Sequence, residues 1–504
     1  MEDIKLSYDD EKEQYLTYYQ DYSHDSSAKH HEIATTPLFS LKAKHVLEGS
    51  KAADSEEEHS EPKDAVSGHA VILPQYGLLG FAVHEQPDTE TYEPIMLNTN
   101  APNSTFICGS QGSGKSYTLS AMLESLVRPA NVPGKPGNPV AGMVFHYDLE
   151  SSGLVAEAAH LASLGIKVDV LVPKSNERKL RQAYTAQLKN SKNLSIRALE
   201  LRSSDLSVER MNKLMAFSES EGKVPLYMDV ILQILRKMAI ENVEDKPFSY
   251  HRFRSLLTEA SANFTPQQSN PMKLRLQLLE SFMVSNPTRN SNQTKLFDLE
   301  PGTLTIVDLS DPFVDSATVC VLFDICLSLI KEKTPSSGLV VALDEAHKYL
   351  NATVAAGNFT ERLLTTVREQ RHNSTRVIIA TQEPTLSEKL LDLCSVSIIH
   401  RFSSAAWFET IKEHIGGASS LLVSEEEQKQ LMEDIVCLNT GESIVFSPSS
   451  YLCVKDGRPR RLAWGSVRMK TRLRIGHDGG QSKMARGVDD VAGIAEGVAG
   501  VTFS

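Results

Sequence analysis

No stretch of this 504-residue sequence approaches the roughly 20 consecutive apolar residues that a membrane-spanning helix requires, so no membrane-spanning segment is expected. The opening Met1-Glu-Asp-Ile-Lys5 lacks the basic-then-apolar order of a secretory signal. Cysteine is sparse and scattered: Cys108, Cys320, Cys326, Cys394, Cys437 and Cys453 form no C-x-x-C pair. That argues against a structural zinc site and suits a reducing compartment, so an intracellular location, cytoplasm or nucleus, is expected. Positive charge is also in deficit, with 52 Lys+Arg against 64 Asp+Glu and a net charge of −12. Residues 1–65 alone carry 16 acidic and 7 basic residues, which supplies −9 of that total. The remainder is only slightly acidic, so the overall sign does not exclude a polyanionic partner. No internal repeat is present, and the chain is too long for one compact core.

What is present reads as alternating strands and helices. Residues 1–65, polar and rich in Ser, His and Glu, are expected to form a disordered acidic leader. A short β region is expected over 66–100, from His69–Leu73, Leu78–Val83 and Pro94–Leu97 with turn residues between. The first part of an α/β core should span 101–194, with strands at Thr105–Cys108, Val144–Asp148 and Val168–Val172 separated by helices. Over 195–300 the pattern changes to helical spacing (Met211–Met215, Leu226–Met238, Leu274–Met283), which predicts a helical insertion. The core resumes over 301–475 with strands at Leu304–Asp308, Leu339–Leu343, Arg376–Ala380 and Ser397–His400. Residues 476–504, rich in Gly, Ala and Ser, are expected to form a flexible tail.

Two motifs carry chemistry. Gly109-Ser110-Gln111-Gly112-Ser113-Gly114-Lys115-Ser116 fits G-x-x-x-x-G-K-[ST], a loop whose backbone N–H groups cradle a nucleotide's phosphates. Lys115 would reach the β- and γ-phosphates of ATP, and the Ser116 hydroxyl would bind Mg²⁺. A Gly-rich turn can also fit the pattern by chance. The second motif is the apolar run Leu339–Leu343 ending in Asp344-Glu345. A buried parallel strand delivers carboxylates at its C-terminal end, where Asp344 would serve the Mg²⁺ shell and Glu345 would orient or deprotonate the attacking water. The alternative is an acidic pair that merely caps the next helix. His347 receives no role. Asp344-Glu-Ala-His347 spells the name of a helicase class, but no Q-x-x-G-R-x-G-R element follows and that reading is rejected.

A third segment, Val367-Arg-Glu-Gln-Arg-His-Asn-Ser-Thr-Arg-Val-Ile-Ile-Ala-Thr-Gln382, completes a set that resembles the HerA/FtsK superfamily of ring-forming P-loop motors. In that family a segment similar to R-E-G-R-x-x-G precedes a strand ending in T-Q; here Gln370 stands in place of the glycine. The resemblance covers roughly residues 90–475 and implies a RecA-like fold. It implies Arg371 as an arginine finger offered to a neighbour's ATP, with Arg368 and Arg376 as rivals, and Gln382 as a γ-phosphate sensor. Tyr147–Gly153 and Pro301–Ser310 are similar to two further family segments, the first matching cleanly only at Asp148. The barrel often found at the N-terminus of the family is expected to be reduced or absent.

The stretch 455–474 holds eight basic residues and one acid, Asp456. If Val467–Ile475 is a strand, Arg468, Lys470, Arg472 and Arg474 share one face and could track a phosphate backbone; a solvated face or arginines paired with acids is the alternative. Trp464 and Phe402 could stack on bases, although buried packing is the expected fate of each. The expectation is therefore an α/β, RecA-like ATPase with a helical insertion, using ATP and Mg²⁺. It would act as a homo-oligomeric, hexameric ring that moves DNA. Alternatives are an ATPase powering protein export or assembly, and a nucleotide-binding interaction module.

Overall fold

Short apolar runs bounded by turn residues become strands, and the longer amphipathic stretches between them become helices. The computed structural model describes residues 31–54, 72–85, 90–128, 132–149, 155–188, 191–215, 226–242, 246–284, 296–297, 299–333, 335, 337–384, 386–414 and 424–476. In chain order the strands are β1 (Leu38–Ser40), β2 (Tyr76–Glu85), β3 (Glu90–Asn98), β4 (Ser104–Cys108), β5 (Gly134–Lys135), β6 (Ala141–His146), β7 (Lys167–Val172) and β8 (Leu194–Ala198). They continue with β9 (Thr303–Asp308), β10 (Leu339–Leu343), β11 (Thr375–Thr381), β12 (Val396–His400), β13 (Glu442–Phe446), β14 (Cys453–Lys455), β15 (Arg458–Arg460) and β16 (Val467–Thr471). The helices begin with α1 (Leu41–Asp54), α2 (Lys115–Val127), α3 (Glu177–Gln187), α4 (Val208–Met215), α5 (Leu226–Glu241) and α6 (Tyr250–Ala260). They end with α7 (Pro266–Ser281), α8 (Ser316–Lys331), α9 (Val354–Arg368), α10 (Glu388–Leu393), α11 (Ala405–His414) and α12 (Glu425–Val436).

One sheet organises the molecule, in the order β1-β3-β2-β16-β13-β12-β4-β11-β10-β6-β9-β7-β8, with β5 paired to β2. From β12 to β8 every neighbouring pair is parallel. From β12 towards β1 every pair is antiparallel. Period-two alternation splits the strands between two cores. Met143, Phe145, Val341 and Leu343 face a layer containing α8, α9 and the helices of the 200–283 region. Val144, Val340, Ala342 and Ile107 face α2, α3 and the 3₁₀ turn Glu157–Leu164. The central parallel strands are mainly apolar because both faces are covered. This is an α/β fold of the RecA-like P-loop type.

Part of the leader expected to be disordered belongs to this fold. Leu38 and Phe39 are fully buried, and β1 pairs with β3, Leu38 opposite Leu97. A short apolar cluster offsets the ordering cost that the polar composition alone would leave unmet. Residues 1–30 and 55–65 lie outside the described residues, as does the expected tail from 477 onwards. Of the expected strand His69–Leu73, only Ile72 and Leu73 are described, and they are not in a strand. Strand β8 reaches Ala198, so the helical segment starts later than residue 195; α4 to α7 follow it before β9. Strands β1 to β3 form no separate barrel: β2 pairs with β16, which makes them an extension of the main sheet.

Candidate functional site

The carboxyl ends of β4, β11 and β10, three neighbouring strands, bring the sequence motifs together. Strand β4 ends at Cys108, the loop 109–114 follows, and α2 starts at Lys115. Two glycines are required for close contact. A Cβ on Gly109 would lie 2.6 Å from the Cβ of His400, and Gly114 has φ +110 with Gly441 N 2.9 Å from where its Cβ would be. The loop is held from the β12–β13 side: Ser110 N donates to Arg401 O at 2.9 Å, and Gly441 N donates to Ser113 O at 3.0 Å. Lys115 is buried, its Nζ donating to Ser110 O at 3.0 Å. Burial lowers its pKa, opposed by the nearby carboxylates of Glu345 and Asp344. Gln111 and Gly112 form the exposed crest of the loop, and Ser116 is half-buried in the first helical turn. The free N–H groups of that turn and the helix dipole favour an anion above the loop.

Asp344 and Glu345 follow β10 directly. Asp344 is buried and its Oδ2 lies 3.1 Å from His146 Nδ1, at the end of β6. Burial opposes charge on His146, but its hydrogen bond to Asp344 and the carboxylate of Asp308 outweigh it and raise the ring's pKa to about 9. Glu345 has a left-handed backbone, φ 51, which a non-glycine residue holds only where its surroundings fix it. Its Oε2 accepts from Gln382 Nε2 at 3.0 Å. The general-base candidate and the sensor candidate are thus in direct contact, and Lys115 lies beside them. Asp148, at the end of β6, pairs with Lys348 at 3.1 Å.

The three arginines separate clearly. Arg376 is buried in β11, donating to the carbonyls of Ser374, Thr99 and Asn100, which removes it as a finger candidate. Arg368 and Arg371 are exposed, at the end of α9 and in the turn before β11. Gln382 leaves the other end of β11, so about 20 Å of strand separates Arg371 from its own chain's site.

The basic row is overturned as a phosphate-tracking face. β16 ends at Thr471, and three of the four residues are engaged internally. Arg468 pairs with Glu442 at 2.8 Å, Arg472 with the buried Glu124 at 2.8 Å, and Arg474 with Glu157 at 2.7 Å while covering the Tyr117 ring. Lys470 alone of the row is exposed. Phe402 is buried against Trp407, but Trp464, expected to be buried, is 58% exposed.

Sequence reasoning missed two groups. His146 sits inside an apolar strand, and nothing local announces its pairing with Asp344. His400 also sits in a buried strand: its Nδ1 is 2.8 Å from Glu442 O, so that nitrogen carries the proton and Nε2 accepts from Thr118 Oγ1 at 3.1 Å. Thr118 in turn accepts from Thr471 Oγ1 at 2.8 Å, which ties α2 to β16.

Strand order, loop and paired carboxylates come together at one edge of the parallel half of the sheet and form a candidate P-loop nucleotide site. No protein-family model matches the sequence, and no curated protein matches it. Among solved structures, the chain is similar to VirB4 of Thermoanaerobacter pseudethanolicus, with a TM-score of 0.47 and 12% identity over 83% of this chain and 99% of that one. It is similar to the genome packaging NTPase B204 from Sulfolobus turreted icosahedral virus 2 in complex with AMPPCP, with a TM-score of 0.28 and 9% identity over 69% of this chain and 92% of that one. It is also similar to the cytoplasmic domain of the Thermomonospora curvata Type VII Secretion ATPase EccC, with a TM-score of 0.28 and 13% identity over 85% of this chain and 31% of that one. No helix among the described residues is long and apolar enough to cross a membrane.

Proposed function

We propose that this chain is a Mg²⁺-dependent ATPase of the HerA/FtsK type that works as a ring-shaped, hexameric motor on DNA. The observation that carries the reading is the convergence of Lys115, Glu345 and Gln382 at the carboxyl ends of three adjacent strands, with Asp344 beside them. Ser116 and Asp344 would hold Mg²⁺. The donor set fits: Mg²⁺ takes one hydroxyl and one carboxylate with its remaining positions filled by water and phosphate oxygens, and it needs no cluster of acidic side chains. The ion supplies charge neutralisation at the phosphates. Lys115 would stabilise charge on the transferred phosphoryl group, Glu345 would orient the attacking water, and Gln382 would sense the γ-phosphate.

The distance of Arg371 from its own chain's site supports a site completed by a neighbour. A finger adds positive charge at the transferred phosphoryl group beyond that of Lys115, and an exposed arginine at the far edge of the sheet is out of reach of its own site but open to another copy. A second reading, an ATPase driving protein export or assembly, gains from the internal pairing of Arg468, Arg472 and Arg474, which removes one basic surface from the DNA reading. ATP hydrolysis measured with and without duplex DNA separates the two. Stimulation by DNA that Lys115→Ala abolishes supports the DNA motor. A Lys115-dependent rate indifferent to DNA, in material of measured oligomeric state, favours the protein-handling reading.

A further inference from the structure

Two hydrogen-bonding groups meet at one oxygen of Glu345. Gln382 Nε2 donates to Oε2 at 3.0 Å, and His347 Nδ1 lies 3.4 Å from the same atom. The Gln382 backbone N–H donates to that Nδ1, also at 3.4 Å. One neutral ring nitrogen cannot serve both contacts. It accepts from the amide when the proton sits on Nε2, and it donates to Glu345 when the proton sits on Nδ1. Burial lowers the pKa of His347, which keeps the ring in the neutral form that offers this choice. Gln382 is drawn two ways for a different reason, the direction in which its carboxamide points. Its carboxamide now serves Glu345, yet a γ-phosphate sensor must turn towards the nucleotide, and Glu345 then loses its 3.0 Å donor.

We propose that His347 is a positioning residue that takes over as hydrogen-bond donor to Glu345 when Gln382 turns to bound ATP, keeping the carboxylate aimed at the attacking water. The exchange is a tautomer change: Nε2 gives its proton to water and Nδ1 takes one from water, so the ring's charge and proton count are unchanged. The side chain is 17% exposed, which leaves a route for that water. Glu345 depends on such a contact because its left-handed backbone is separated from β10 only by Asp344, and the Ala346–Lys348 turn follows at once. This inference rests on the ATPase reading.

The test is steady-state ATP hydrolysis by His347→Ala and His347→Asn beside the parent and Lys115→Ala, with affinity for a fluorescent ATP analogue and a thermal melt for each. Asn places an amide near the Nδ1 position that can either donate or accept. Loss of this contact should lower kcat of His347→Ala by about tenfold or more, with KM, analogue affinity and melting temperature close to the parent's. His347→Asn should recover most of the rate. The role of His347 is overturned if His347→Ala turns over within about twofold of the parent, if Asn is no better than Ala, or if affinity and kcat fall together. A parent rate that does not depend on Lys115 instead overturns the ATPase reading itself.

Discussion

Glu124→Gln tests whether the arginines after β16 serve the fold or a polyanion. Glu124 is 1% exposed and the Arg472 side chain 3% exposed, and they meet at 2.8 Å. Arg472 also donates to the carbonyls of Leu78 and Ala121, while Glu124 accepts from the backbone N–H groups of Ile475 and Gly476. The substitution keeps an acceptor oxygen and the volume but removes the charge, leaving a buried guanidinium without its counter-ion. Breaking a buried pair from one side costs about 3–5 kcal/mol. With a urea m-value of roughly 3 kcal/mol/M, that lowers the denaturation midpoint by about 1–1.7 M. The double variant with Arg472→Met should cost less than the two single changes added together, because the charge left behind by Glu124→Gln is then gone. Urea titration followed by tryptophan fluorescence and by circular dichroism reads both quantities. If Arg472 served DNA, Glu124→Gln would stay within about 1 kcal/mol of the parent, and Arg472→Met would flatten the salt dependence of DNA binding by about one ion. That pair of results refutes the structural assignment.

Glu345→Gln should bind ATP with near-parent affinity and hydrolyse it at least about a hundredfold more slowly, measured in a single turnover with radiolabelled ATP; hydrolysis at the parent rate removes Glu345 as general base. Arg371→Ala should be inactive alone but active when mixed with Lys115→Ala, since each mixed interface can pair an intact loop with an intact finger; a fully active, monomeric Arg371→Ala protein ends the finger assignment. Stability should fall on acidification through His400. Burial pushes this ring down to about 4, against about 6.5 when unfolded, so its contribution is complete above pH 6.5 and is lost as the pH falls towards 4. The loss is about 3 kcal/mol, and His400→Gln should show a correspondingly shallower fall between those pH values in urea midpoints; an unchanged slope contradicts the buried neutral ring.

The parallel half of the sheet was legible because strands buried on both faces must be apolar throughout, and Leu339–Leu343 cannot be read otherwise. That Asp344, Glu345, Gln382 and the loop leading to Lys115 come together was legible for a related reason: the first three and the start of the loop follow strand ends, and parallel strands put those ends on one edge. The C-terminal basic stretch was not legible. Alternation in Val467–Ile475 signals a strand, which forms only over Val467–Thr471, and period-two reading says nothing about what covers a face. Glu124, Glu157 and Glu442 come from three other elements, and their meeting with Arg472, Arg474 and Arg468 is fixed by β16 lying between β2 and β13, an order no local pattern encodes.

The same placement bears on how the nucleotide site communicates with the rest of the chain. Thr118, two residues past Ser116, is hydrogen-bonded to His400 and to Thr471, and Arg472 to Gly476 then run along α2 through Glu124. The loop 109–114 and α2 are therefore tied on one side to the antiparallel extension, while on the other side Lys115 lies near the Glu345 carboxylate. A γ-phosphate that draws Gln382 away from Glu345 changes only the second side. The first side is a buried, fully donated chain of hydroxyls, imidazole and carbonyl with no spare partner to exchange, so it resists displacement. On the proposed function, movement that follows hydrolysis should consequently run through β11, from Gln382 back to the turn before the strand, which holds Arg371 and joins it to Arg368 at the end of α9. On the proposed function, a sensor at one end of β11 and a finger in the turn before its other end would have a direct physical route from the loss of a phosphate to the site of the next subunit.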